Sequence, residues 1–311
     1  MTDSNYYSHG KLLITGEYLV LDGAKSLALP TKKGQSLTIQ NTHNSQLNWE
    51  SFDENGNRWL SIDFDLPKLR IISETFDSAI EDGSDSLAMK LQEILLESRR
   101  MNPEFLTSET GLAIKSELDF PRNWGLGSSS TLINNIASWA KIDAFELQFK
   151  TFGGSAYDIA CAQSNTPILY QLVNKNPIIR SVSFDPIFKE QLFFVYLNKK
   201  QNSREGITEY TKFKGEKDVI IKEISELTNE MLTSNSIEDF ERILIEHENL
   251  ISSIIQQDPI QKRLFSDYFG RTKSLGAWGG DFILATGNEN SKSYFISKGY
   301  HTVISYQEMV L

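Results

Sequence analysis

A single cysteine, Cys161, stands in the 311 residues, and that scarcity excludes a disulfide framework within the chain. A reducing cytoplasm is the simplest compartment for such a composition. Basic residues are also short: 31 Lys and Arg face 41 Asp and Glu, for a net charge of -10. Proteins that bind nucleic acid usually show the opposite balance, so that partner is not expected. Long apolar runs are missing as well. No window approaches the ~20 residues of a transmembrane helix, which argues against a membrane partner. The polar stretch from Met1 to Gly10 lacks the apolar core of a signal peptide. There is no internal repeat and no low-complexity tract.

What remains is an ordinary globular composition, 40% hydrophobic and 23% charged, enough for one large or two ordinary domains. The pairs Lys32-Lys33, Lys199-Lys200 and Arg99-Arg100 read as solvated faces. Cys161, inside Ile159-Ala160-Cys161-Ala162, reads as a small core residue rather than a nucleophile.

The first third is β-rich. Lys11–Leu21 is apolar and β-branched and runs into an Asp22-Gly23 turn signal. Ser36–Gln40, Gln46–Ser51 and Arg58–Phe64 alternate like strands, and Asn55-Gly56 marks a turn. Leu87, Leu91, Ile94 and Leu95 give Ser86–Arg99 helical spacing. Gly111–Glu117 reads as a strand, and Thr131–Ile142 as a helix. Texture changes near Phe184–Lys189. A strand at Leu192–Leu197 precedes expected helices at Asp218–Ser234, Ile237–Gln256 and Pro259–Leu275. Phe282–Thr286, Ser291–Gly299 and His301–Tyr306 then read as strand, helix and strand. The pattern is α+β with a boundary near Ser183, giving domains 1–183 and 184–311.

Four segments carry chemistry. Trp124-Gly125-Leu126-Gly127-Ser128-Ser129-Ser130 lies between an expected strand and an expected helix, after Pro121. Glycines let a backbone approach a ligand, a helix start offers unpaired N–H groups, and serine hydroxyls can reach phosphate or Mg²⁺. It is not a Walker A loop, because no Gly-Lys-Ser/Thr follows. A plain Gly/Ser connector fits equally well in isolation. Gly153-Gly154-Ser155-Ala156-Tyr157-Asp158 sets one carboxylate among small residues; it could accept a hydroxyl proton or simply cap a helix. Ser274-Leu275-Gly276-Ala277-Trp278-Gly279-Gly280-Asp281 is a glycine-rich turn before a strand, also readable as a tight cap. His9-Gly10-Lys11 through Gly16-Glu17-Tyr18 sets a lysine at a strand start, usually a surface position.

In order and spacing the four together resemble the GHMP kinase family, which includes mevalonate, phosphomevalonate, homoserine and galactose kinases. Gly10-Lys11 and Gly16-Glu17 match its Pro-Gly-Lys…Gly-Glu-His segment, while His9 and Tyr18 depart. Pro121 and Gly125–Ser129 match its Gly-Leu-Gly-Ser-Ser loop, while Trp124, Ser130 and Thr131 depart. The Asp158 segment and the last turn look closest to phosphomevalonate kinases, with Trp278 in place of a glycine.

The resemblance implies a ribosomal-protein-S5-like domain followed by a ferredoxin-like one, with a site in their cleft. ATP phosphates would lie on Gly125, Leu126, Gly127, Ser128, Ser129 and Ser130, with Ser129 also reaching Mg²⁺. Asp158 would face the substrate hydroxyl and Lys11 would sit beside it. Gly16, Glu17, Ser155, Gly279, Gly280 and Asp281 would border the substrate or phosphate cleft. Glu146 falls within about one residue of the second Mg²⁺ ligand of some members. The implied activity is ATP-dependent phosphotransfer to a small acidic alcohol or phosphate, with mevalonate or phosphomevalonate leading. Another alcohol, a mevalonate-diphosphate-decarboxylase-like reaction, or a non-catalytic binding role is the alternative. Trp124 and Trp278 are expected to shape the pocket, with core packing as the rival reading. Whether the chain forms a homodimer is left open.

Overall fold

The computed structural model describes residues 4–76, 84–199 and 203–311. Lys200 and the first three residues of the N-terminal stretch lie outside them. Contacts divide the chain into two compact units. One comprises Met1–Gly10, Lys33–Arg122 and Gly127–Gln163; the other comprises Lys11–Lys32, Asn123–Leu126 and Ser164–Leu311. The units interleave along the chain, where the sequence alone suggests one boundary near Ser183. Strand pairing is the reason: Ser26, Leu27 and Ala28 are in register with Tyr170, Leu169 and Ile168, which groups residues 11–32 with the later part.

The first unit holds β3 (Gln46–Phe52), β4 (Arg58–Asp65), β5 (Ile71–Phe76) and β6 (Leu112–Leu118), with parts of β1 (Ser4–Leu13) and β2 (Ser26–Asn41). Its strand order is β5-β4-β3-β6-β2, with β3 and β6 parallel and the other pairs antiparallel. Its helices are α1 (Ser84–Met101), α2 (Ser128–Ala140), α3 (Ala144–Thr151) and α4 (Tyr157–Gln163). Alternation along β3 and β4 turns Leu47, Trp49, Leu60, Ile62 and Phe64 inward, as a period of two requires. Leu91, Ile94 and Leu95 of α1, Ile133 and Ile136 of α2 and Leu147 of α3 join them in one core. Each such side chain contributes about 1.5–3 kcal/mol when fully buried.

The second unit adds β7 (Ile168–Val173), β8 (Asn176–Ser181), β9 (Leu192–Tyr196), β10 (Thr272–Ser274), β11 (Phe282–Thr286) and β12 (Val303–Ser305). Its helices are α5 (Ser203–Lys212), α6 (Lys217–Thr233), α7 (Ile237–Ile255), α8 (Ile260–Leu264), α9 (Ser291–Ser297) and α10 (Tyr306–Met309). Four strands form an antiparallel sheet in the order β10-β11-β9-β12. β7 and β8 form a hairpin closed by Asn174 and Lys175, both at positive φ (51° and 63°), the geometry of a type I′ turn.

Three segments differ from their sequence-based expectation. β1 ends at Leu13 rather than running to Leu21, because Gly16 (φ 87°) and Tyr18 (φ 62°) turn the chain into a 3-10 turn at Leu19–Asp22. Pro259–Leu275 is not one helix: α8 stops at Leu264, Phe265 and Tyr268 pack against Phe295, and the chain extends into β10. The last expected strand is cut short at Ser305, whose side chain and Glu308 form a capping box that starts α10. Arg99 is also no surface cation. Its guanidinium donates to the carbonyls of Phe105, Leu106 and Pro67, whereas Arg100 pairs with Glu97 at the surface. Cys161 is buried, as its neighbours suggest. Among the described residues no helix is long and apolar enough to cross a membrane.

Candidate active site

In the first unit, α2 begins directly after Gly127, which sits in the left-handed region (φ 88°) and has no side chain to cap the helix. Ser128, Ser129 and Ser130 are its first three residues. Their N–H groups have no intrahelical partner, and the positive end of the helix dipole adds to them. Ser129 is exposed, Ser128 half-buried and Ser130 buried. This end of a 13-residue helix suits an anion, and the adjoining hydroxyls suit phosphate oxygens.

An uncharged network fixes α2 beneath that end. Asn134 and Asn135 both bond Ser8: Asn134 Nδ2 donates to the Ser8 hydroxyl at 2.9 Å, which donates to Asn135 Oδ1 at 2.7 Å. Asn135 Nδ2 donates to the Gln35 carbonyl at 2.9 Å, and the Thr131 hydroxyl to Gln35 Oε1 at 2.6 Å. Gln35 Nε2 reaches Ser116 Oγ at 2.7 Å. Every member is buried and partnered, the condition under which buried polar groups stabilise.

Asp158 is the second residue of α4 and is half-exposed. The approach to it bends at Gly153 (φ 71°), Gly154 (φ 81°) and Ala156 (φ 60°). Ser155 is buried at its base. Glu146 is in the first turn of α3, exposed, and paired with Lys150 at 2.8 Å. Among the described residues no group of three or more His, Cys, Asp or Glu could hold a metal ion on its own. The loop's donors fit phosphate oxygens, and the exposed Ser129 hydroxyl is the group there that suits a nucleotide's Mg²⁺.

In the second unit, Lys11 lies near the end of β1, and its backbone N–H donates to the carbonyl of Leu126 at 3.0 Å. Lys11, Trp124, Gly125, Gly276 and Asp281 line a crevice of about 20 Å³, room for a single water, which needs roughly 10–15 Å³. A side chain at Gly125 (φ 68°) would collide with the Asp281 carboxylate. Trp124 stands edge-on to Phe282 with ring centroids 5.3 Å apart. Trp278 is 1% exposed and packs with Tyr18, Leu19 and Tyr210. Trp124 therefore borders the crevice, while Trp278 fills the core, the rival of the two readings drawn from sequence. Gly279 (φ 90°) and the buried Gly280 complete the turn. A larger groove of about 760 Å³, along Lys32, Phe184 and Tyr306, contains none of these residues, so size alone does not mark the site.

Gly16 and Glu17 do not border an open cleft. A side chain at Gly16 would strike Ser26, and Glu17 is 0% exposed. The Glu17 carboxylate pairs with Lys273 of β10 through Oε1, and its Oε2 lies 3.4 Å from Nε2 of His247. That nitrogen accepts from the Gly16 N–H at 2.9 Å. The neighbouring Glu248 accepts from Ser274 N at 3.0 Å, Ser274 Oγ at 2.9 Å and Ile260 N at 3.2 Å. Burial pushes Glu17 up to about 7, against the pull of Lys273. Burial, with Lys273 nearby, holds His247 well below its ordinary value and hence neutral. Glu248 is raised by the same desolvation. Sequence reasoning found Glu17 but not Lys273, His247 or Glu248, since one lysine in a short strand and two residues in a long helix carry no local signal.

With these features in place, the molecule has the fold of the GHMP kinases. Mevalonate kinase of Methanococcus jannaschii superposes with a TM-score of 0.70 at 17% identity, over 96% of this chain and 94% of that one. Phosphomevalonate kinase of Streptococcus pneumoniae, in complex with phosphomevalonate and AMPPNP, gives 0.66 at 15% over 95% of both chains. Galactokinase of Lactococcus lactis, complexed with galactose, gives 0.61 at 11% over 95% of this chain and 88% of that one. No family model matches the sequence, and no curated protein matches it.

Proposed function

We propose that the protein is an ATP-dependent small-molecule kinase whose acceptor is a small acidic alcohol or phosphate of the mevalonate or phosphomevalonate class. The observation that carries this reading is the uncapped start of α2 behind left-handed Gly127, with Ser128 and Ser129 as its first residues. Such a terminus binds phosphate through backbone N–H groups and dipole together. The shared fold of mevalonate and phosphomevalonate kinases supports the reaction class.

In this reading the loop from Gly125 to Ser130 holds the nucleotide's phosphates. The acceptor oxygen attacks the γ-phosphorus, the bond to the β,γ-bridging oxygen breaks, and ADP leaves. Asp158 orients the attacking hydroxyl and takes its proton. Lys11 offsets charge on the phosphoryl group in transit. Phosphoryl transfer asks mainly for positioning and electrostatic stabilisation, so this small set suffices. Mg²⁺ arriving with ATP would neutralise phosphate charge, with the Ser129 hydroxyl in reach of it. Specificity rests on a few pocket contacts, and the galactokinase likeness keeps a sugar alcohol as the second acceptor class.

The test is a panel of acceptors with Mg-ATP, containing mevalonate, phosphomevalonate, homoserine and galactose. Acceptor-dependent ADP release with a phosphorylated product is expected for an acidic acceptor. Carbon dioxide release would mark a decarboxylase-like reaction, and ATP binding without turnover on any acceptor would mark a binding protein.

A further inference from the structure

The turn from Ser274 to Asp281 has an unusual backbone. Gly276, Trp278, Gly279 and Asp281 all have positive φ (57°, 47°, 90° and 52°). For the bulky tryptophan this region is disfavoured, and such a residue persists there only where its surroundings hold it. Two consecutive residues supply the hold. Glu17 binds Lys273 just before the turn. The Tyr18 hydroxyl donates to the Ala277 carbonyl at 2.8 Å, in the middle of it. The Tyr18 ring belongs to the same buried cluster as Trp278 and stacks on Tyr210 with centroids 6.1 Å apart. Tyr18 is itself at positive φ (62°), so both sides of the contact are strained. Beyond the held portion, the Asp281 carboxylate fills the space beside Gly125 of the phosphate loop.

We propose that Glu17 and Tyr18 are positioning residues: together they hold the Ser274–Asp281 turn in the conformation that lays Asp281 against Gly125, and thereby set the loop's affinity for nucleotide. The inference rests on the kinase reading above. It also accounts for two departures from the family pattern at once, since Tyr18 and Trp278 are members of one packed cluster. A tyrosine at position 18 reaches a carbonyl of the turn, and a tryptophan at 278 locks the next residue into the core.

Tyr18→Phe tests this, because it keeps the packed ring and removes the hydroxyl that satisfies Ala277. Removing the partner of this partly buried carbonyl shifts a local equilibrium by about tenfold. The expected result is about tenfold faster hydrogen exchange in residues 274–281, with exchange in α7 and the melting temperature unchanged. Mg-ATP should bind about tenfold more weakly, with kcat at saturating nucleotide retained, a split that a general loss of stability would not give. Glu17→Gln, which keeps the shape but removes the charge that binds Lys273, should move the same two readouts in the same direction. Unchanged exchange in 274–281 in both variants, or faster exchange with undiminished Mg-ATP affinity, would overturn the proposal. A parent protein that binds no Mg-ATP while Tyr18→Phe loosens the turn would instead overturn the kinase reading, and with it the role in nucleotide affinity.

Discussion

In the first unit, α2 is anchored by hydroxyls and amides: Ser8, Gln35, Ser116, Thr131, Asn134 and Asn135. In the second, the glycine-rich turn follows a cluster of ionisable groups: Glu17, Lys273, His247 and Glu248, all buried. Each device fixes, within its own unit, a segment that the proposed function uses. They differ in what burial costs. Neutral groups lose little once each has a partner. Carboxylates and an ammonium lose their hydration and must be matched in charge, and here two carboxylates face one lysine and a neutral imidazole. Two atoms of the cluster, Glu17 Oε2 and His247 Nδ1, lack a hydrogen-bond partner. The first network is thus expected to be indifferent to pH and the second to depend on it.

The most damaging way to break this contrast is Lys273→Met. It leaves Glu17 buried without its counter-ion, and removing one partner of a buried pair costs about 3–5 kcal/mol. Urea denaturation should show that loss or an unfolded protein; a near-normal midpoint would mean that the cluster contributes little. Next is Gly125→Ala, which forces a Cβ into the Asp281 carboxylate at a positive φ. A loss of about 1–3 kcal/mol is expected from the backbone conformation alone, with weakened Mg-ATP binding seen by calorimetry.

Asn135→Ala strips partners from Ser8 and Gln35 and should cost about 1–3 kcal/mol. That cost should be the same at pH 5 and pH 7.5, since no member of its network titrates there. The comparison is sharpened by Glu17→Gln. The folded state raises Glu17 from 4.5 to about 7, so between those values the folded protein holds a proton that the unfolded chain has released. The parent therefore loses stability as pH rises through that window, and the loss is complete above it. The glutamine variant lacks this dependence, so its stability relative to the parent should climb between pH 4.5 and 7 and then level off. What remains in the variant is Glu248, raised by burial so that stability is lost as pH rises through its shifted range, and His247, depressed below 6.5 so that stability is present above that value and lost as pH falls below it. A flat difference across the window would remove Glu17 as a titrating group. The smallest stability change should come from Ser129→Ala, within about 0.5 kcal/mol because the side chain is exposed, while Mg-ATP affinity or transfer at limiting Mg²⁺ falls.

Much of the first unit was legible because its elements are amphipathic in the plain way. Leu47, Trp49, Leu60 and Ile62 alternate, and Leu91, Ile94 and Leu95 recur at helical spacing. The loop before α2 was legible because glycine and serine there are unusual together. The hairpin at Asn174-Lys175 was not, since a lysine occupies the place where a type I′ turn favours glycine. The short run at Thr272–Ser274 was hidden because its three residues are all polar and follow a mixed run whose apolar residues can be placed at helical spacing. The ionic cluster could not be read at all. Glu17 and Lys273 are 256 residues apart, and only the folded chain shows that each is matched by the other.

The central claim is phosphoryl transfer with Asp158 at the acceptor hydroxyl, and Asp158→Asn measured against the parent on an authentic acceptor tests it most directly. Asparagine keeps the size of the side chain and removes its capacity to take a proton. The account predicts Mg-ATP affinity within about twofold of the parent and kcat lower by about 10²-fold or more, the scale of a general base. Near-normal turnover by Asp158→Asn on that acceptor would contradict it.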